Sequence, residues 1–143
     1  MGDFEHLRVK GTDLAQALEF HHPEMVWFLD LESGEIFLVT EEERHEKPED
    51  FFEDPRYEPI HPLESFLSFE IMEDFVAELP KGRSRKALAA ALERRKPFRS
   101  FKDALLDFPD LREAWFRFHN EKMLVIAEAW LEEHAPGAQF VQD

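Results

Sequence analysis

Cysteine is absent from this chain, which excludes disulfides, thiol nucleophiles and thiolate zinc sites and leaves only histidine and carboxylate ligands for any metal. Asparagine and glutamine are scarce, one and three in 143 residues, a composition also met in heat-adapted proteins. No apolar run approaches the roughly 18 to 20 residues that cross a bilayer. The start, MGDFEHLRVK, lacks the apolar centre of a signal peptide, which points to a soluble cytoplasmic protein without membrane contact. Its Met-Gly opening is no myristoylation site, because His6 stands where Ser or Thr is required. There is no glycine-rich phosphate loop, no His-Glu-x-x-His and no serine in a nucleophile elbow.

What is present is acid and aromatic surface. The formal net charge is −15, with 32 acidic against 17 basic residues, and the apolar fraction holds 15 Phe and 3 Trp against a single Tyr. Rings of that size bury enough area to offset the entropy of ordering, so the expectation is a folded core rather than a disordered polyanion. A length of 143 residues suits one domain.

Local patterns divide that domain. GTDLAQALEFHH reads as a short helix with Asp13 as cap and Gln16 completing a capping box, ended by Pro23. MVWFLDLESGEIFLVT joins two strand-favouring runs through Ser33-Gly34, a pair suited to a tight hairpin turn. A lone hairpin is marginal in water, and RYEPIHPLES, with its prolines, is a candidate extended segment for the sheet edge. Between them lies an acidic connection anchored by Phe51 and Phe52.

From about Ser65 the pattern turns helical. SFLSFEIMEDFVAEL sets Phe69, Met72, Phe75, Val76 and Leu79 on one face, and SRKALAAALERRK sets Leu88, Ala91 and Leu92 on another, ending before Pro97. Ser100 with Asp103, and Asp110 with Glu113, resemble capping boxes opening two further helices. The fold class is therefore α+β. A short N-terminal helix and antiparallel β-hairpin (residues 1–62, with the acidic connection) pack on a C-terminal antiparallel helical bundle (residues 63–135).

One segment opposes the overall charge. Lys81 to Lys102 carries nine Lys and Arg and one acid, Glu93, or +8, whereas the other 121 residues sum to −23. On a helix Arg83, Lys86 and Arg94 share a side with Ala87 and Ala90 between them, and Arg95, Arg99 and Lys102 extend the charge into the next helix start. These six are the candidate anion-binding residues, for nucleic acid or another polyanion. A second reading competes. Glu70, Asp74 and Glu78 recur every four residues, a like-charge ridge that would be satisfied if the preceding helix folded back against the basic one. Phe98, Phe101, Leu105 and Phe108 form a stripe at helical spacing, assigned to the core.

Histidines offer little chemistry. His21 and His22 fall at a helix end, Glu42 and His45 lack the second Glu-x-x-His of a di-iron bundle, and the other match, Glu58 to His61, contains Pro59. His119, between Trp115 and Met123, suits a packed helix face. Neither a metal nor a cofactor is indicated, and no catalytic residue can be assigned.

MEDFVAELP (72–80), RRKPFRSFKDAL (94–105), LREAWFRFHNEKM (111–123) and AEAWLEEH (127–134) together resemble an uncharacterised bacterial protein family, UPF0158, mainly over residues 57–134. The resemblance implies a soluble bacterial protein with a recurring PFRSFKDAL-like block, and carries no activity, cofactor or catalytic residue. Three function classes follow. The leading one is a non-catalytic binding module for an anionic ligand. The second is a protein-interaction or homo-oligomer module whose basic segment pairs with acidic helices, and the third a small hydrolase-like enzyme using His and carboxylates.

Overall fold

A computed structural model describes residues 3–142 and gives a mixed α+β fold, as expected. The chain forms two compact units: residues up to Leu63 together with those from Met123 onward, and residues Glu64 to Lys122.

The first unit begins with strand β1 (Arg8–Lys10), helix α1 (Gly11–Glu19), and strands β2 (Val26–Asp30) and β3 (Ile36–Val39). It continues with helix α2 (Glu41–Glu46), a 3₁₀ turn at Glu49–Glu53 and strand β4 (Tyr57–Ile60). After the second unit the chain returns through the last turns of helix α6 (Pro109–His134) and ends in strand β5 (Gln139–Val141).

Its three-stranded antiparallel sheet has the order β3-β2-β4, so the hairpin is completed by the proline-containing segment at its edge. Pro59 lies opposite Phe28 on β4, where a residue without an N–H is tolerated. Leu29, Val39 and Ile60 are buried, and Phe28, Phe37, Phe51, Phe52 and Tyr57 interlock ring against ring. Phe51 and Phe52 thus anchor the acidic connection, which is exposed from Glu41 to Asp50. Thr40 caps α2, its Oγ1 accepting from the backbone N–H of Glu43 at 3.2 Å.

Two local expectations are corrected. The hairpin turn is not a two-residue turn at Ser33-Gly34: β2 and β3 are joined through Leu31 to Glu35, with Gly34 N–H donating to the Asp30 carbonyl at 2.8 Å and Gly34 at φ +82°. The cause is Asp30, whose carboxylate accepts from the backbone N–H groups of Glu32 (2.9 Å) and Ser33 (3.4 Å) and so shapes a longer loop. Nor does Asp13 cap α1. That helix starts at Gly11, straight after β1, with Lys10 as its unassisted N-cap. The ring of Phe140 lies where a side chain would be, 2.5 Å from the position of a Cβ on Gly11. Phe140 is held there by the parallel pairing of β1 with β5, which sets Val9 opposite it.

The second unit consists of helices α3 (Ser65–Glu78), α4 (Arg83–Leu92), α5 (Pro97–Leu105) and α6 as far as Lys122. Met72, Phe75 and Val76 of α3, Leu88 and Ala91 of α4, Phe101 and Leu105 of α5 and Trp115 of α6 are buried. The rings of Phe75 and Phe101 meet Trp115 with centroids 5.4 and 5.0 Å apart. Ile71 is also buried, whereas Phe69 and Leu79 are half-buried.

Here the helix starts differ from the capping-box reading. Pro97 opens α5, so Ser100 and Asp103 lie inside the helix; Pro109 opens α6, with Phe108 accepting the first backbone bond from Arg112 at 3.0 Å. Proline at the first helical position loses no hydrogen bond and presets φ, and here it outweighs the polar caps one or three residues later. A further correction concerns Phe98, which the core stripe should bury: it is 36% exposed, while Phe101 is 0% exposed.

Candidate anion-binding surface

The α4–α5 segment owes its polarity to the arrangement of small and long side chains. On α4 the buried pair Leu88 and Ala91 faces inward, leaving Arg83 and Lys86, three residues apart, on the exposed side beside half-buried Ala87 and exposed Ala90. Alanines between them keep that face low, so two long cations stand clear of it. Arg94 and Arg95 lie beyond the end of α4, in the connection that also holds Lys96; Arg94 is therefore not part of the α4 face on which the spacing sets it. On α5 the buried Phe101 and Leu105 turn Arg99 and Lys102 outward, again three residues apart.

All six candidate residues, Arg83, Lys86, Arg94, Arg95, Arg99 and Lys102, are exposed. Ion pairs lie elsewhere among the described residues: Arg56 with Asp30 and Glu32, His134 with Glu58, and His45 with Glu41. Among the described residues, no side chain of the basic segment lies within 4.0 Å of a carboxylate. Glu70, Asp74 and Glu78 are likewise exposed on α3 and, among the described residues, make no ion pair. The pairing of basic segment with acidic ridge is thus absent. The physical reason is weak driving force, since an exposed pair gains about 1 kcal/mol at most and must immobilise two flexible side chains.

Neither basic helix satisfies its own positive end. Gly82 precedes α4 and Lys96 precedes α5; neither supplies a side-chain cap, and no acid lies in either first turn. Asp103 sits too far along α5 to neutralise its start.

Other chemistry is sparse. A hollow of about 510 Å³ is lined by Glu41, Arg44, His45, Lys47, Glu49 and Phe52, and another of about 460 Å³ by Phe75, Glu78, Leu79, Ala114, Arg117 and Phe118. Neither contains a nucleophile paired with a base. Among the described residues, no three His, Asp or Glu side chains are grouped to hold a metal, and no helix is long and apolar enough to cross a membrane.

Two polar constellations have no counterpart in the sequence reading. His134, near the end of α6, contacts Glu58 of β4 through Nδ1 at 3.0 Å and stacks on Trp130 with centroids 4.2 Å apart. The four-residue spacing of Trp130 and His134 signals their stacking, but no local signal points to Glu58. Arg56 grips Asp30, 26 residues away, through Nε and an Nη nitrogen, both at 2.9 Å.

Comparison with known proteins agrees with the resemblance of the helical blocks. The model of the Uncharacterised protein family (UPF0158) matches residues 5–143. UPF0158 protein PA5073 of Pseudomonas aeruginosa is 35% identical over 124 residues, 85% of this chain and 80% of the relative. No solved structure matches. With a family model spanning nearly all of its length and a relative at that identity, the chain belongs to the uncharacterised protein family UPF0158.

Proposed function

We propose that this protein is a non-catalytic binding module whose α4–α5 segment receives an anionic ligand, nucleic acid above all. The observation that carries this reading is the set of six exposed cations from Arg83 to Lys102, unpaired among the described residues, within a chain of net charge −15. A surface that has not spent its positive charge on its own carboxylates keeps it for a partner, and the acidic remainder of the chain confines a polyanion to that one segment. The starts of α4 and α5, free of acid, add oriented N–H groups to the same field.

Counterion release makes the reading testable, because each phosphate neutralised contributes about −0.7 to −0.9 to the slope of log affinity against log salt. Fluorescence anisotropy with labelled RNA and DNA fragments is expected to show binding at low salt that falls steeply as salt rises. Arg94→Glu with Arg99→Glu should abolish it. Absence of binding at low salt, or binding that survives the double charge reversal, removes this site.

A further inference from the structure

Phe98 breaks with the stripe it belongs to. Phe101 and Leu105 of the same helix are buried, yet Phe98 keeps about a third of its surface in water, and its ring meets Phe69 of α3 edge-on with centroids 6.4 Å apart. One helical turn before Phe69, on the same side of α3, Phe66 is 57% exposed. Phe69 thus has the partly bare ring of Phe98 against it, and bare Phe66 one turn away along α3.

What borders these rings decides what they suit. Lys102 lies one turn beyond Phe98 on the same side of α5, and Arg95 and Arg99 flank Phe98 in the chain; all three are exposed and unpaired among the described residues. Glu70, four residues after Phe66, is exposed on the α3 side. Cations thus neighbour Phe98 along α5, and an acid neighbours Phe66 and Phe69 along α3. A duplex hides the faces of its bases and gains nothing from bare rings beside a cationic track. A single strand uses both, setting phosphates on the cations and unstacked bases on the aromatic faces. Glu70 keeps the phosphates on the α5 side and leaves the α3 side to the bases.

We infer that Phe98 and Phe66, with Lys102 and Arg99 beside them, form a stacking platform for single-stranded nucleic acid. This rests on the anion-binding reading above and names the substrate class of the same surface.

The test compares three labelled probes at one low salt concentration: a deoxythymidine strand of about 16 nucleotides, an abasic strand of equal length with the same phosphates, and a duplex of that length. The unaltered protein should bind the deoxythymidine strand about tenfold more tightly than the abasic one, the value of one stacked base. Phe98→Leu with Phe66→Leu should erase that difference and leave abasic affinity as it was. Equal affinity for the deoxythymidine and abasic strands, or tighter binding of the duplex, overturns the platform while leaving the anion-binding reading in place. Failure to bind any probe overturns both. Because the decisive comparison uses the unaltered chain, it holds whatever the leucine variants do to folding.

Discussion

Arg56 holds Asp30 with two parallel hydrogen bonds, Nε to Oδ1 and an Nη nitrogen to Oδ2, each 2.9 Å long. The same carboxylate accepts the backbone N–H groups of Glu32 and Ser33, and the Arg56 carbonyl accepts from the N–H of Leu31 at 2.8 Å. One buried acid therefore ties the hairpin loop to the start of β4, and its guanidinium partner meets Glu32 as well, at 2.8 Å.

The pH dependence of stability follows from that grip. The Arg56 guanidinium, foremost, and the two backbone donors hold the Asp30 carboxyl well below its ordinary value of 3.8, against the opposing effect of burial. A carboxyl whose folded value lies below its unfolded one stabilises fully above the unfolded value, and that contribution is lost as pH falls toward the folded one. Asp30→Asn should lower stability at pH 7 by about 1–2 kcal/mol, discounted for the exposure of Arg56. Below about pH 4 the unaltered protein should lose stability more steeply than the variant, so that their curves converge. Urea unfolding followed by circular dichroism from pH 7 to pH 3 measures both.

Gly34 tests the hairpin loop from the backbone side. At φ +82° it sits in the left-handed region, and a Cβ there would lie 2.4 Å from the backbone oxygen of Arg8. Conformation and collision add, since the oxygen belongs to backbone and cannot swing aside as a side-chain end would. Gly34→Ala is expected to cost about 2–3 kcal/mol, more than the 1–2 kcal/mol of the left-handed conformation alone. Thermal unfolding of the two proteins side by side checks it.

The two phenylalanines of RRKPFRSFKDAL should separate sharply. Phe101 is fully buried against Phe75 and Trp115, so Phe101→Ala leaves a cavity and should cost about 3–4 kcal/mol. Phe98, already partly in water, should cost about 1 kcal/mol when replaced by Ala. Denaturant midpoints of the two variants give the comparison.

How much of this was legible in the residues depends on the range of the force concerned. Periodicity located all four C-terminal helices and the hairpin, because side chains three, four or two apart share a face whatever the rest of the chain does. Helix starts were missed where Pro97 and Pro109 compete with nearby polar caps, since a proline reads equally as a stop for one helix and a first residue for the next. The six cations were found by counting, but their freedom was not: whether Arg83 meets Glu78 depends on where two flexible side chains end, which spacing does not encode. Asp30–Arg56 and Glu58–His134 were beyond reach for a similar reason, being separated by 26 and 76 residues.

The unpaired state of the acidic ridge predicts an unusual independence. Were Glu78 of α3 and Arg83 of α4 partners, reversing either charge would destabilise and reversing both would restore stability, with a coupling of about 0.5 kcal/mol or more. With no ion pair between them, Glu78→Arg and Arg83→Glu should combine additively within about 0.3 kcal/mol. Glu78→Arg should be mildly stabilising on its own, because it turns the Asp74 to Glu78 repulsion on one helix face into an attraction worth a few tenths of a kcal/mol. A double-mutant cycle by urea unfolding at low salt measures all of these. Strong coupling would return the basic segment to the service of its own fold, and additivity leaves its charge for an external ligand.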